Sequence, residues 1–284
     1  MADHVLVLTA APERGLSDAE LELTERSVGG DARRLAPWAA ELPCHESPLL
    51  PALEAVDANV LPAEGRQKRA LLADMDSTMI TAECIDELAA AAGIGEQVSA
   101  ITERAMAGEL DFEGALIERV SLLAGLPEET LDTVWMEHIT LSAGARVFVR
   151  TMADRGAVTA LVSGGFTYFT KRVASACGFA ENRANQLAIA GGHLTGSVVP
   201  PILGREAKRE ALREIAERKG LEPTDFLAIG DGANDLAMIE TAGLGVGYRP
   251  KPLLAAACDA VLAHSDLRAV LALQGIPEGD FVAD

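Results

Sequence analysis

Two short acidic segments, each directly after an apolar run, carry the residues best suited to chemistry. The first is DMDST at residues 74–78, which follows ALLA at residues 70–73. The second is DGAND at residues 231–235, which follows FLAI at residues 226–229. Alternate residues of an extended chain share a face, and a turn at the strand end can aim both aspartates of the first segment into one pocket. The sequence therefore predicts acidic groups at two strand ends.

Carboxylates that lie close together repel one another, so none stays ionised without a cation or a proton beside it. Asp231, brought near Asp74 and Asp76, would complete an all-oxygen site of the kind that Mg²⁺ prefers. Gly230, just before the second segment, and Gly232 within it allow a sharp turn and a close approach to a ligand. The alternative is that both segments are polar turns that cap helices, and the first segment alone fits either interpretation.

Two further residue types occur at positions that suit phosphate binding. Ser163-Gly164-Gly165 ends the apolar run 157–162, and it offers a hydroxyl and backbone amides at the start of a predicted helix. Lys208 lies near the start of another predicted helix. A single lysine there is usually a solvated charge, but three polar strand ends in one chain favour a phosphate-binding role.

Composition excludes several classes of protein. The chain has 284 residues, 24 Lys and Arg against 43 Asp and Glu, and a net charge of −19, which argues against nonspecific nucleic-acid binding. The uncharged stretch 184–204 contains Asn, Gln, His, four glycines and two prolines, so we expect no membrane helix there. The N-terminal residues lack a signal-peptide pattern, and four scattered cysteines suggest reduced thiols. We expect a cytoplasmic protein with neither a nucleic-acid nor a membrane partner.

The first 68 residues predict a small α+β unit that contains no chemical motif. Its predicted elements are a strand at Val5–Thr9, a helix at Ser17–Val28 capped by Ser17 and Glu20, a strand at Leu35–Leu42 bent at Pro37, a short helix at Pro51–Val56 and an extended Val60–Leu61. Trp38 is expected to be a packing residue. The polar stretch 62–69, with Arg66, Lys68 and Arg69, predicts a solvated connector.

Residues 69–284 predict an α/β core with an inserted helical unit at about residues 79–140. Four helices without an intervening strand define the insertion: Glu83–Ala92, Gly95–Ala107, Phe112–Leu123 and Glu128–Glu137. Strands and helices alternate after residue 144, and Gly191-Gly192 predicts a β-hairpin between Gln186–Ala190 and His193–Val199. Such alternation predicts parallel strands with right-handed crossovers, and hence a three-layer core.

The order DxDxT, strand-terminal Ser, Lys and GDGxND resembles the haloacid-dehalogenase-like (HAD) hydrolases over about residues 70–265. Five segments resemble the phosphoserine phosphatases of that superfamily: 74–88, 108–112, 119–120, 162–166 and 229–235. The resemblance implies a Rossmann-like core with a helical cap and Mg²⁺-dependent hydrolysis of O-phospho-L-serine to L-serine and phosphate, the last step of L-serine biosynthesis. The N-terminal unit resembles a truncated ACT-like regulatory domain, and a homodimer remains open.

Carried over residue by residue, the resemblance implies that Asp74 is the nucleophile, which forms an aspartyl-phosphate. Asp76 would protonate the leaving oxygen and then deprotonate the hydrolytic water. The Mg²⁺ ligands would be Asp74, the main chain of Asp76 and Asp231. Asp235 would lie next to these ligands without binding the ion itself. The residues implied around the phosphoryl oxygens are Ser163, Gly164 and Lys208, with Asn234 orienting substrate or water.

The same resemblance places Glu83 on the substrate ammonium and Arg119 on its carboxylate, where a guanidinium binds in a bidentate fork. Without the motifs, both residues would be interpreted as exposed helix charges. Met106 and Phe112 either line the apolar wall of the cap or pack in its core.

Three alternative functions share part of this pattern. A phosphatase or phosphotransferase for another small phosphorylated metabolite would share the motifs, although Glu83 and Arg119 favour an amino-acid phosphate over a sugar phosphate. An inactive amino-acid sensor would be expected to lack Asp74 or Asp76, and both are present. A response-regulator receiver would leave the helical insertion unexplained.

Overall fold

The computed structural model of the chain describes residues 3–106, 108–204 and 206–284, without the side chain of Met106. The expectation that Met106 lines the cap therefore falls outside the described residues. None of the described helices is long and apolar enough to cross a membrane.

The N-terminal unit is an antiparallel sheet with one helix on its outer face. Its elements are β1 (His4–Ala10), α1 (Asp18–Val28), β2 (Arg33–Ala36), β3 (Ala39–Cys44) and β4 (Val56–Pro62), and the strand order is β2-β3-β1-β4. The predicted capping box is confirmed, because the Ser17 side chain accepts the Glu20 N–H and the Glu20 side chain accepts the Ser17 N–H.

Two predictions for this unit are wrong. Residues 35–42 form parts of two strands rather than one, because the chain turns at Pro37, whose fixed φ and missing N–H suit a turn better than a ladder. Residues 51–55 are not helical, and Val56 already begins β4. A six-residue helix is too short to be stable without packing, and Val56 pairs with Ala10 of β1 instead.

The four predicted insertion helices are confirmed. They are α2 (Cys84–Ala91), α3 (Gly95–Met106), α4 (Phe112–Ser121) and α5 (Glu129–Glu137), and they follow the strand β5 (Ala70–Ala73). The remaining elements are α6 (Ala145–Asp154), β6 (Val158–Phe166), α7 (Thr167–Cys177), β7 (Glu181–Ala190), β8 (His193–Val199), α8 (Ala207–Lys219), β9 (Phe226–Gly230), α9 (Leu236–Ile239), β10 (Leu244–Tyr248), α10 (Pro252–Ala255), β11 (Ala260–Leu262) and α11 (Ala269–Leu273).

A seven-stranded sheet in the order β11-β10-β9-β5-β6-β7-β8 forms the central layer. All neighbouring pairs are parallel except β7 and β8, which form the predicted hairpin. Alternate residues of β5 enter different clusters: Leu72 packs with Leu212 of α8 and Leu71 with Phe148 of α6. The three-layer α/β core with a parallel sheet is thus confirmed, and β5 lies at its centre.

The N-terminal sheet packs directly on this core. Val5 and Val7 of β1 lie in the same buried cluster as Leu271 and Leu273 of α11, whereas the alternate residues of β1 face α1. Trp38, 2% exposed, belongs to that cluster and its Nε1 donates to Glu278 Oε1 at 3.1 Å. Trp38 is therefore a packing residue, as expected.

Polar contacts fix the same junction. The carboxylate of Asp57 accepts the backbone N–H groups of residues 263–265 at 2.9–3.2 Å, and the Asn59 amide makes two hydrogen bonds with the backbone of Val261. The prediction of a wholly solvated connector is wrong for Arg66, whose side chain is 13% exposed, pairs with Glu41 and donates to the Leu273 carbonyl. Its acidic partner comes from a distant strand, so the local sequence gives no sign of it.

Candidate active site

The predicted chemical residues meet at the carboxyl end of the parallel strands. Asp74 follows β5 directly, Asp231 follows β9, and Ser163 and Gly164 lie in the second half of β6. The Asp74 N–H donates to the Ile229 carbonyl at 3.0 Å, so the ends of β5 and β9 are tied together. In parallel α/β sheets this edge is where ligands bind.

Three buried carboxylates form the centre of the site. Oxygen atoms of Asp74, Asp231 and Asp235 all lie within 4.8 Å of one another, and the three residues are at most 6% exposed. Lys208 joins the group, because its Nζ lies 2.7 Å from Asp74 Oδ1 and 2.5 Å from Asp235 Oδ1. One buried ammonium thus contacts two of the three buried carboxylates.

The pKa shifts follow from that imbalance. Burial and the neighbouring Asp235 raise the pKa of Asp74 well above its ordinary value, although Lys208 opposes them. Burial also raises the pKa of Asp231. Lys251, whose Nζ lies 3.2 Å from Asp231 Oδ2, offsets part of that rise. Burial lowers the pKa of Lys208, but Asp235 and Asp74 outweigh it and the net shift is upward. The three carboxylates together carry more negative charge than Lys208 and Lys251 can neutralise.

Those residues fit a hard divalent cation. The donors are all oxygen atoms, they are buried, and they converge at the distances that such ions bridge. Asp235 is the exception within the cluster, because its Oδ2 already accepts the N–H groups of Asp231 and Gly232 at 3.1 and 3.0 Å. Asp235 therefore holds the loop, and Gly230 allows this, since a Cβ there would lie 2.3 Å from Asp235 Cγ.

Asp76 connects the core to the insertion. Its Oδ1 accepts the Cys84 N–H at 3.0 Å, where α2 begins, and its Oδ2 accepts the Ser163 hydroxyl at 3.3 Å. Burial raises the pKa of Asp76 despite these two hydrogen bonds. A carboxyl group that holds its proton more tightly than usual suits proton donation.

Glu83 and Arg119 of the insertion both interact electrostatically with Asp76. Ser77 Oγ donates to Glu83 Oε1 at 2.7 Å, and burial together with Asp76 raises the pKa of Glu83 to about 7. Burial lowers the pKa of Arg119, against the charges of Asp86, Glu83 and Asp76. The insertion thus places one acid and one base within electrostatic reach of Asp76.

The insertion closes over the site. The Phe112 ring, at the start of α4, covers Gly164 so closely that a Cβ on Gly164 would lie 2.7 Å from Phe112 Cζ. The remaining cavity measures about 10 Å³ and is lined by residues that include Ser163, Lys208 and Asn234. That volume holds about one water molecule. Phe112 therefore faces the site, and any organic ligand requires the insertion to move.

Asn234 lies at the margin of the cluster. Its Nδ2 is 3.5 Å from Asp74 Oδ2, which is too long for a strong hydrogen bond. The structure nevertheless brings all ten predicted site residues to one edge of the sheet or to the insertion above it.

Sequence reasoning missed two residues at the site. Asn185 is 1% exposed; its Nδ2 donates to the Gly164 carbonyl and its Oδ1 accepts the Leu203 N–H, both at 2.8 Å. It therefore ties the Ser-Gly-Gly segment to the approach to α8, which carries Lys208. An amide in an uncharged stretch was the one available signal. Lys251, next to Asp231, lies outside every motif.

A comparison with known families agrees with this geometry. The family described as haloacid dehalogenase-like hydrolase matches residues 71–240. The chain belongs to the haloacid dehalogenase-like hydrolase family. The match begins in β5 and ends after α9, so it contains the sheet edge, the insertion and every residue of the carboxylate cluster.

Individual relatives of this HAD hydrolase carry a more specific name. A phosphoserine phosphatase of Archaeoglobus fulgidus is 43% identical over 212 residues, which are 75% of this chain and 61% of that protein. A phosphoserine phosphatase of Methanocaldococcus jannaschii is 40% identical over 206 residues, which are 72% of this chain and 97% of that protein. The chain thus spans less than two thirds of the Archaeoglobus relative and nearly all of the Methanocaldococcus relative.

The similarity in structure extends to the N-terminal unit. The crystal structure of a HAD family hydrolase from Salmonella enterica serovar Typhi superposes with a TM-score of 0.84 at 27% identity, covering 95% of this chain and 98% of that one. The arrangement of N-terminal sheet, core and insertion is therefore shared with another member of the family.

Proposed function

We propose that this HAD hydrolase is a phosphoserine phosphatase, which hydrolyses O-phospho-L-serine to L-serine and phosphate. The observation that carries the proposal is the position of Asp74: its carboxylate lies at the sheet edge, 2.7 Å from Lys208 Nζ and beneath an insertion that supplies Glu83 and Arg119. The relatives named phosphoserine phosphatase support the same substrate.

In the proposed first step, a carboxylate oxygen of Asp74 attacks phosphorus in line, and the bond from phosphorus to the serine oxygen breaks. Asp76 gives its proton to that serine oxygen, so serine leaves as a neutral alcohol. The upward pKa shift of Asp76 supports this role, because the group then holds a proton to donate. Its hydrogen bond with Ser163 fixes the carboxyl group near the phosphate-binding segment.

In the second step, Asp76 takes a proton from a water molecule, whose oxygen attacks the phosphorus of the aspartyl-phosphate. The bond between phosphorus and the Asp74 oxygen breaks, and phosphate leaves. Lys208, Ser163 and the backbone of Gly164 would hold the equatorial oxygens, where charge collects in the transition state. Lys208 is suited to this because its ammonium is buried and already faces Asp74.

We further propose Mg²⁺ as the cation of the carboxylate cluster. Asp74, Asp231 and the main chain of Asp76 would hold it, and Asp235 would keep the loop of Asp231 in place through the two backbone N–H groups that it accepts. When bound, the ion keeps the nucleophilic carboxylate ionised and balances the charge of the phosphoryl group.

For the substrate, Glu83 would pair with the ammonium group and Arg119 with the carboxylate. A sugar phosphate carries neither group, so the pair favours an amino-acid phosphate. Both side chains belong to the insertion, and binding energy gathered there can therefore drive its closure over the reacting atoms.

The decisive experiment measures phosphate release from phosphoserine, phosphothreonine, phosphohomoserine and two sugar phosphates, each with Mg²⁺ and with excess EDTA. We expect phosphoserine to have the highest kcat/KM and EDTA to remove the activity reversibly. A preference for a sugar phosphate would overturn the substrate assignment, and full activity in EDTA would overturn the metal assignment.

A further inference from the structure

A second concavity lies at the amino-terminal ends of the parallel strands, opposite the strand ends that carry the carboxylate cluster. It has a volume of about 610 Å³ and is formed where β5 and β6 begin and where α6 and α8 end. Its lining residues are Gln67, Lys68, Arg69, Met152, Arg155, Gly156, Val158, Lys219, Leu221, Gln274 and Ile276. We call this concavity the basal cleft.

The charge of the basal cleft is opposite to that of the protein. Lys and Arg make up 24 of 284 residues in a chain of net charge −19, yet four of the eleven lining residues are Lys or Arg and none is acidic. These four cations come from three separate parts of the chain: the connector before β5, the end of α6 and the end of α8. Such convergence in an acidic protein points to an anionic ligand.

Neighbouring acids neutralise the basal cleft only in part. Arg69 pairs with Asp225 at 3.5 Å and Arg155 with Asp280 at 3.8 Å, and both are long contacts between partly exposed groups, which bind weakly. Lys219 has no ion-pair partner among residues 3–106, 108–204 and 206–284.

Lys68 is the most buried of the four cations. Its Nζ donates to the Thr224 carbonyl at 3.0 Å rather than to a carboxylate. Burial lowers the pKa of Lys68, and the charges of Asp259 and Asp225 do not compensate fully. An anion in the cleft would supply the missing partner.

The walls of the basal cleft are fixed and partly apolar. The side-chain amide of Gln274, which is 1% exposed, accepts the backbone N–H of Lys68 at 3.0 Å. It also donates to the Val270 carbonyl at 3.3 Å, so the amide is held in place. Apart from its own chain neighbours, none of the described residues lies within 4 Å of the position of a Cβ on Gly156, which leaves the space beside it open. Val158 and Leu221, both half-buried, give apolar surface for a carbon skeleton.

We propose that the basal cleft is a binding site for a small organic polyanion with two or three carboxylate or phosphate groups. The anionic groups pair with Lys68, Lys219 and Arg155, and the carbon skeleton lies against the apolar wall. This site is separate from the active site and does not depend on the proposed phosphatase activity.

The test uses benzene-1,3,5-tricarboxylate as the probe and isothermal titration calorimetry as the measurement. The titration is repeated on Lys208→Gln, which removes the buried cation of the catalytic end, so that probe binding at that end is recognised by its loss in this variant. We expect one equivalent to bind to the wild-type protein, with an affinity that falls as salt is added. Lys68→Gln combined with Lys219→Gln should weaken binding by about tenfold, as expected for two lost ion pairs.

The matched control is Lys171→Gln combined with Arg213→Gln, which removes two exposed positive charges elsewhere and should leave the affinity within about twofold. Circular dichroism spectra and thermal unfolding midpoints, unchanged in both double variants, verify folding. Should the cleft variant fail to fold, the single change Arg155→Gln is tested in its place. Absence of binding to the wild type, or equal loss in the cleft and control variants, would overturn the proposal.

Discussion

Lys208 Nζ lies 2.7 Å from Asp74 Oδ1, and both side chains are at most 5% exposed. The same ammonium contacts Asp235, so one buried cation orients two carboxylates. We expect Asp74→Asn to lower phosphate release by roughly a thousandfold or more, because an amide keeps the shape but not the nucleophilicity.

This variant should also keep its fold. Because burial and Asp235 raise the pKa of Asp74, ionisation of that carboxylate is unfavourable in the metal-free native state. Its replacement by a neutral amide should therefore leave the free energy of unfolding of the metal-free protein unchanged or higher, measured by urea titration. A variant that unfolds more easily, or one that turns over normally, would contradict the assignment.

Removal of the metal is expected to affect stability as well as activity. Three buried carboxylates lie close together, and a divalent cation bound only by the folded chain adds free energy of unfolding. Thermal unfolding should shift upward when Mg²⁺ is added to EDTA-treated protein, and Asp231→Asn should abolish most of that shift. An equal shift in both proteins would place the ion elsewhere.

The pH dependence of substrate binding should report Glu83. Its pKa is raised to about 7, so the free enzyme loses the carboxylate, and with it the partner of the substrate ammonium, as the pH falls through that value. We expect kcat/KM for phosphoserine to decrease below about pH 7 in the wild type, and this decrease to be missing in Glu83→Gln. Nitrophenyl phosphate, which has no ammonium group, is the control and should show no such difference between the two enzymes.

Arg119→Ala is expected to discriminate between the same two substrates. Loss of the charged partner of a buried carboxylate costs about 3–5 kcal/mol, so phosphoserine turnover should fall by more than about a hundredfold. Nitrophenyl phosphate turnover should change far less. If both substrates lost activity equally, Arg119 would have a structural role only.

The contact between Phe112 and Gly164 makes closure of the insertion testable. Gly164→Ala places a methyl group 2.7 Å from Phe112 Cζ. We expect kcat/KM to fall by about tenfold, because the insertion can no longer close fully over the site. The additional change Phe112→Ala should restore part of the loss. If the methyl group obstructs phosphate itself, the second change will restore nothing.

Local interactions were predictable from the sequence, and long-range ones were not. The capping box of Ser17 and Glu20 depends on neighbours along the chain, and the strand-terminal motifs depend on the parallel sheet that their own alternation with helices implies. The burial of Arg66 depends on Glu41, and the placement of Gly164 depends on Asn185. No spacing in the sequence indicates Glu41 or Asn185 as a partner, because each lies on a separate strand that only the folded chain brings close.

Asp57 offers a measure of how strongly the N-terminal unit holds the core. Asp57→Ala leaves the backbone N–H groups of Ala263 and Ser265 without their acceptor, and we expect the free energy of unfolding to fall by about 2–4 kcal/mol. Asp31→Ala, at an exposed position, is the control and should change it by less than about 0.5 kcal/mol. Similar losses in both variants would show that the junction contributes little.

The same junction has a consequence for the synthesis of the chain. Thr9 Oγ1 accepts the hydroxyl of Ser265 at 2.8 Å across 256 residues, and the inner face of β1 packs on α11. The N-terminal sheet therefore leaves the ribosome long before the segment that covers it exists. Its inner apolar face has no α11 to pack on until residues 269–273 have been added. Burial of that face then waits for the synthesis of α11, and premature termination near residue 260 should yield an aggregation-prone product.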